Sequence, residues 1–106
     1  MFTRKALDRY IHSFLTDLSK EGYTPARVML FGSYAYGRPT ETSDIDLAIW
    51  DEHFTGCGSE DIVPIASLIS KYPSLELHTF SVDDQNPFAE EVMKKGILIQ
   101  SPIYQM

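Results

Sequence analysis

Residues 28–49 read VMLFGSYAYGRPTETSDIDLAI, and this stretch decides how the chain folds. It begins with four apolar residues, turns at Gly32-Ser33, crosses a loop rich in glycine, proline, threonine and serine, and ends on alternating polar and apolar residues. Apolar runs of this length, bounded by turn residues, are typical of strands. The stretch therefore predicts a strand, a glycine turn with a short helical piece, a loop and a second strand.

Asp44 and Asp46 carry the chemistry of this stretch. Because alternate side chains of a strand point to the same face, both carboxylates project from one side while Ile45 and Leu47 point into the core. Two such charges repel, and a cation between them relieves the repulsion. Hard oxygen ligands suit Mg²⁺, which binds a few carboxylates together with phosphate oxygens and water. Taken alone, an Asp-x-Asp pair is more often a solvated strand face.

Gly32 and Ser33 precede the paired acids by ten residues. Glycine lets the backbone adopt a positive φ and lets a ligand approach closely. Ser33 can cap the short helix that follows, and the free N–H groups at the start of that helix favour an anion. The hydroxyl of Ser33 can also donate a hydrogen bond to a phosphate oxygen. An ordinary strand-to-helix turn is the alternative, and the pair alone does not separate the two.

Taken together, Gly32-Ser33, ten intervening residues and Asp44-Ile45-Asp46 resemble the signature of the nucleotidyltransferase superfamily of DNA polymerase beta type. The surrounding residues, LFGSYAYGRPTETSDIDLAI, look most like the small stand-alone branch called minimal nucleotidyltransferases. The resemblance is dense over about twenty-two residues, and the later elements are compatible with it. It implies the nucleotidyltransferase fold, an α/β or α+β domain with a small mixed sheet flanked by helices, which the pattern of elements alone does not select.

The resemblance also implies the site, residue by residue. The implied site holds two Mg²⁺ ions together with a nucleoside triphosphate, and ATP is the expected substrate. A nucleoside monophosphate passes to an acceptor hydroxyl, and pyrophosphate leaves. The implied catalytic and metal-binding residues are Asp44, Asp46 and Glu76. The implied nucleotide-binding residues are Gly32, Ser33, Arg38 and Ser43.

Two positions depart from the family's pattern. The short helix after the glycine turn often carries an arginine where this chain has Tyr36, and Arg38, two residues on, either reaches the triphosphate or faces solvent. The third carboxylate is usually aspartate, and this chain offers Glu76, which is either a site residue or an exposed strand acid. His78 is predicted to lie on the same face of the strand as Glu76, where it either supports the site or is merely adjacent to it.

The composition limits the class of protein. The chain has 106 residues, the size of one domain spanning residues 1–106, and its 43% hydrophobic and 23% charged residues fit a soluble globular protein. No apolar run approaches the roughly 20 residues of a membrane span. The net charge of −6 argues against a long nucleic acid as substrate, because phosphate binding needs a basic surface. The single cysteine, Cys57, cannot form an internal disulfide and fits a reducing cytoplasm.

The remaining elements follow from hydrophobic periodicity and cap residues. They predict a small mixed sheet backed by helices on one face, with the acids on the open face or edge. The predicted elements are a helix over residues 3–21, a strand over 27–31, a helix from Ser59 to near Lys71, a strand over 75–80, a helix capped by Asn86-Pro87 and ended by Gly96, and an edge strand over 97–99. Residues 101–106 are expected to fray or to dock a partner.

The resemblance implies a partner as well. In the minimal branch the neighbouring gene often encodes a helical HEPN protein, and the small transferase then acts as an antitoxin, by nucleotide transfer to that partner or by binding it. The candidates for contact are Tyr34, Tyr36, Ile103 and Tyr104. The alternative functions are a nucleotidyltransferase-fold binding module with weak or no turnover, and an α/β metal-binding domain unrelated to nucleotides.

Overall fold

A computed structural model describes residues 1–100 of the chain. No helix among these residues combines the length and the apolar character that crossing a bilayer requires. The predictions for residues 101–106, including Ile103 and Tyr104, lie outside the described part. The elements are α1 (Arg4–Lys20), β1 (Arg27–Phe31), β2 (Ile45–Trp50), α2 (Gly58–Ile62), a 3₁₀ turn (Val63–Ile65), α3 (Ala66–Ile69), β3 (Leu75–Phe80), α4 (Pro87–Lys95) and β4 (Ile97–Gln100).

The four strands form one mixed sheet in the order β3-β2-β1-β4. β1 pairs antiparallel with β2 and with β4, whereas β2 pairs parallel with β3. A parallel pair needs a crossover connection, and here the crossover contains α2 and α3. The prediction of a small mixed sheet in an α/β or α+β domain is confirmed, and β4 lies at a sheet edge as predicted.

The first face of the sheet packs on α1 and α3. α1 begins after Thr3, whose hydroxyl accepts a hydrogen bond from Ala6 N at 3.1 Å. Each large aliphatic or aromatic side chain that this face buries contributes about 1.5–3 kcal/mol to folding. The buried residues include Leu7, Ile11, Phe14 and Leu18 of α1, Val28 and Leu30 of β1, Ile45, Leu47 and Ile49 of β2, and Leu68 of α3.

The second face is covered in part by α4, so the prediction that helices back only one face is wrong. Met29, Trp50 and Phe80 point to this face and pack against Ala89 and Val92 of α4. These side chains alternate along their strands with residues of the first face, and they are too large and apolar to remain exposed. The sheet therefore needs a helix on each side.

The crossover is broken where the sequence predicted one continuous helix. α2 ends at Ile62, a 3₁₀ turn follows, and α3 is a single short turn of helix. Pro64 lacks an N–H and its ring clashes with the preceding turn, so it interrupts the helix. The interruption changes which residues face the core. The spacing of a continuous helix would bury Ile62, Ile65, Ala66 and Ile69, but in the structure Leu68 is buried and Ala66 is exposed.

Asp61 ties the loop before α2 to β3. Its carboxylate is buried and accepts hydrogen bonds from Thr55 N (2.8 Å), Thr55 Oγ1 (3.1 Å), Gly56 N (3.0 Å) and Thr79 Oγ1 (2.7 Å). Burial is the largest single influence on the pKa of this carboxyl and raises it, but the hydrogen bonds together outweigh burial and leave the pKa lowered. The charged form of Asp61 thus fixes the crossover against the sheet.

Candidate active site

The pairing of three strands brings two of the predicted acids together. Asp46 on β2 lies between Phe31 of β1 and Glu76 of β3, its partners on either side. Strand alternation puts His78, two residues after Glu76, on the same face. Donor atoms of Asp46, Glu76 and His78 all lie within 4.8 Å of one another, and His78 Nε2 is 3.9 Å from Asp46 Oδ1. We call these three residues the Asp-Glu-His cluster.

Asp44 lies at the rim of this cluster. It precedes β2, its side chain is exposed, and it is not among the three residues whose donor atoms converge in the described part of the chain. Its charge still acts on the cluster, because it contributes to the raised pKa of Asp46. Of the predicted set Asp44, Asp46 and Glu76, the structure brings the last two into a close pair and adds His78 to them.

Negative charge is concentrated at Asp46. Burial raises the pKa of its carboxyl most, and a shared hydrogen bond with Glu76 and the charges of Glu76 and Asp44 raise it further, to about 6. At pH 7 the Asp46 carboxyl is therefore mostly ionised, although the negative charges of its neighbours oppose this ionisation. A divalent cation bound to these oxygens would remove that repulsion.

The raised pKa of Asp46 has a consequence for stability. Between 3.8 and about 6 the folded protein keeps a proton that the unfolded chain loses, so the free energy of unfolding falls as the pH rises through this range. We expect Asp46→Asn to raise the free energy of unfolding at pH 7 by about 1 kcal/mol, a figure discounted for solvent screening of a partly exposed carboxylate. Urea denaturation in EDTA measures this gain.

The control and the pH series make this expectation specific. The gain from Asp46→Asn should be much smaller near pH 4 than at pH 7, because near pH 4 the folded carboxyl is protonated and the unfolded one is only partly ionised. Glu41→Gln removes an exposed acid from the loop before β2 and should leave the pH dependence unchanged. An Asp46→Asn effect of the same size at pH 4 and pH 7 contradicts the assignment.

Gly32 brings the bend after β1 against Asp46. Its φ of +72° lies in the left-handed region that glycine adopts without strain. A Cβ at this position would overlap the Asp46 carboxylate and lie 3.0 Å from its Cγ. Because no side chain intervenes, a ligand held by the Asp-Glu-His cluster can also reach the backbone of the bend.

Replacing Gly32 with alanine should therefore lower the free energy of unfolding by more than backbone strain alone would. Gly37 provides the matched control, since its φ is +73° and a Cβ there meets nothing within 4 Å. We expect Gly37→Ala to lower the free energy of unfolding by about 1 kcal/mol and Gly32→Ala by about 2–3 kcal/mol, measured by urea denaturation. Equal losses in the two variants would show that Asp46 does not crowd the bend.

The bend is a series of turns, so the predicted short helical piece is wrong. Ala35 N and Tyr36 N both donate to Gly32 O, at 3.0 and 3.1 Å, and Arg38 N donates to Ser33 O at 2.9 Å. A helix needs a run of bonds between each N–H and the carbonyl four residues earlier, and only one bond here has that spacing. Ser33 therefore caps no helix.

The other predicted nucleotide-binding residues lie on the surface around the bend. Arg38 is exposed, and so is Tyr36, which stands where the family often has arginine. Ser43 Oγ accepts a hydrogen bond from Thr40 N at 2.8 Å, so this hydroxyl shapes the loop before β2. Tyr34 is held inward, because its hydroxyl accepts from Phe2 N at 3.0 Å.

An aromatic wall beside the acids was not predicted. The ring of His78 lies 4.9 Å from that of Phe31 and 5.8 Å from that of Phe88, and the two phenylalanine rings are 5.7 Å apart. Such edge-to-face contacts orient the imidazole. Alternation along β1 and β3 was the signal that put Phe31 and His78 on the face of Asp46, whereas Phe88 depends on how α4 docks.

A cleft formed within residues 1–100 lies away from the acids. It has a volume of about 950 Å³, runs between α1 and β4, and is lined by residues that include Ile11, Leu15 and Leu98. It contains no member of the Asp-Glu-His cluster. Glu76 is exposed, and Asp46 and His78 are partly exposed, so the cluster is in contact with solvent.

Comparison with protein-family models matches residues 15–102 to the family described as Polymerase beta, Nucleotidyltransferase. The chain belongs to this family. The match contains both the bend at Gly32 and the whole Asp-Glu-His cluster of this polymerase beta-type nucleotidyltransferase. It confirms the family predicted from residues 28–49. No curated protein matches the sequence significantly.

Proposed function

We propose that this polymerase beta-type nucleotidyltransferase uses a divalent cation to move a nucleoside monophosphate, AMP from ATP, to a hydroxyl of a partner protein. The observation that carries the proposal is the convergence of Asp46 and Glu76 beside the Gly32 bend. The Asp46 carboxyl, whose pKa is raised in part by the adjacent Glu76, fits a site for a doubly charged cation, and Mg²⁺ accepts carboxylates together with phosphate oxygens.

Each residue has a defined task in this proposal. Asp46 and Glu76 hold the cation, and Asp44 at the rim supplies a further oxygen for a second ion. A bound Mg²⁺ polarises the α-phosphate and lowers the pKa of the attacking hydroxyl. The bend at Gly32-Ser33 holds the triphosphate through backbone N–H groups and the serine hydroxyl.

Arg38 and Ser43 are assigned lesser tasks. Arg38 is exposed on the turn that follows the bend, and its guanidinium would bind the outer phosphates. Ser43 positions the loop that leads into β2 through its hydrogen bond with Thr40. Neither residue is needed to hold the cation.

The net charge of the chain supports a protein acceptor over a long nucleic acid. At −6 the protein repels a polyphosphate backbone, whereas a single triphosphate is neutralised locally by its cation. Tyr36 stands half-exposed on the turn beside the site, where an approaching protein can contact it. A helical HEPN-type partner, modified by the transferase and thereby neutralised, is the acceptor and makes this chain its antitoxin.

Incubation with ATP labelled at the α-phosphorus, Mg²⁺ and a HEPN-type partner tests the proposal. Label should appear on the partner, and the same reaction with ATP labelled at the γ-phosphorus should leave the partner unlabelled, because pyrophosphate departs. If the partner is labelled only by ATP that carries its label at the γ-phosphorus, the reaction is phosphoryl transfer, which would overturn the assignment. A stable complex without label from any of the four nucleoside triphosphates would identify a binding module instead.

A further inference from the structure

We infer that His78 is a metal ligand and that it gives this site a preference for Mn²⁺ over Mg²⁺. The inference deepens the proposed function, on which it rests for the role of the ion in transfer. It concerns the ion bound by the free protein, so it can be measured without nucleotide or acceptor.

The position of the imidazole supports ligation. His78 Nε2 is 3.9 Å from Asp46 Oδ1, which is too long for a hydrogen bond. Two donors that each lie about 2.1 Å from one ion can be separated by roughly 3.0–4.2 Å, depending on the angle at the ion. The spacing between this nitrogen and this oxygen therefore suits an ion between them. A carboxylate oxygen of Glu76 lies within 4.8 Å of both donors, and this exposed side chain would move slightly closer to share the ion.

The aromatic wall preorganises the same imidazole. Phe31 and Phe88 contact the ring edge-to-face at centroid distances of 4.9 and 5.8 Å, and the side chain of His78 is 30% exposed. A ring restrained in this way loses little further freedom when it binds an ion. The exposed part of the His78 side chain leaves one side of the cluster open to an incoming ion and its water ligands.

The donor set determines which ion is favoured. Mg²⁺ prefers oxygen ligands throughout and gives up its water reluctantly, so an imidazole adds little to its binding. Mn²⁺ accepts the same carboxylate oxygens. As a transition-metal ion with accessible d orbitals, it also forms a stronger bond to imidazole nitrogen than Mg²⁺ does. Two carboxylates with one imidazole therefore form a site for a transition-metal ion. The two acids alone would form a site for Mg²⁺.

Isothermal titration of the full chain with Mn²⁺ and, separately, with Mg²⁺ tests this inference. His78→Gln keeps a polar side chain of similar length, and we expect it to weaken Mn²⁺ binding at least ~10-fold while changing Mg²⁺ binding by less than about threefold. His12→Gln, which alters an exposed histidine of α1, should leave both affinities unchanged. In the wild-type protein, Mn²⁺ should broaden the ring resonances of His78 but not those of His12.

A second variant and two outcomes complete the test. His78→Asp replaces the nitrogen by oxygen and should shift the ratio of affinities toward Mg²⁺, with an unchanged fold by circular dichroism. An unaltered Mn²⁺ to Mg²⁺ ratio in His78→Gln, or no binding of Mn²⁺ by the wild type, overturns the inference and leaves nucleotidyl transfer as a separate question. If His78→Gln selectively loses Mn²⁺ binding and the wild-type protein transfers no nucleotide, the result would support His78 as a metal ligand and refute the proposed enzymatic function.

Discussion

Asp46→Asn is expected to lower nucleotidyl transfer at least ~10³-fold. The reason is its place in the sheet. Asp46 lies on the central strand β2, opposite Glu76 and beside Gly32, so it is the one acid within reach of both the second carboxylate and the bend. Asparagine keeps the shape of the side chain but loses the charge that binds the cation.

The measurement is the rate of label transfer from α-labelled ATP at saturating Mg²⁺. Glu41→Gln is the matched control, because it removes one acid from the nearby loop without touching the site, and its rate should stay within about twofold of wild type. Asp44→Asn should also abolish transfer if the rim acid serves a second ion. Since Asp46→Asn is expected to be more stable than wild type, unfolding cannot account for its loss of activity. Wild-type transfer by Asp46→Asn would end the metal assignment.

Asp61→Ala is expected to lower the free energy of unfolding by about 3 kcal/mol. Its carboxylate accepts four hydrogen bonds, and its removal leaves Thr79 Oγ1 and two backbone N–H groups of the 55–57 loop without their acceptor. Hydrogen bonds to a charged, buried acceptor contribute more than neutral ones. Urea denaturation at pH 7 measures the loss.

The neighbouring acid and the pH dependence provide the controls for Asp61. Glu60 is exposed on the same turn of α2, and Glu60→Ala should cost less than about 0.5 kcal/mol. The lowered pKa of Asp61 means that its contribution is present above the unfolded value of 3.8 and is lost as the pH falls through the folded value. The difference between wild type and Asp61→Ala should therefore shrink in acid. A loss no larger than that of Glu60→Ala would contradict the anchoring role.

Local patterns were sufficient to predict the strands and the terminal helices. β1 and β3 begin and end at the predicted residues, and β2 lies one residue further along than predicted. Period-two alternation and turn residues act within a few positions, so they can be recognised without knowing what the strand packs against. The Asn86 cap and Pro87 likewise mark the start of α4 where it is found.

One error has a local cause, Pro64, and the others arose where distant residues decide the outcome. Pro64 breaks the crossover helix, and the resulting shift buries Leu68 in place of Ala66. The helical piece after Gly32 is replaced by turns because the chain there must pass close to Asp46. Neither the packing of α4 on the second face nor the burial of Asp61 has a local signature in the sequence.

The sequence by itself determined the acidic motif, the glycine bend and the family, because these depend on residue types at short and fixed spacings. Only the tertiary structure decided which donor atoms meet. The register of β2 against β3 sets Asp46 opposite Glu76 and carries His78 to the same face, and a slip of one residue would turn those side chains to the other side of the sheet. Strand register is fixed by the packing of both faces at once, so a site built across strands is a property of the folded chain.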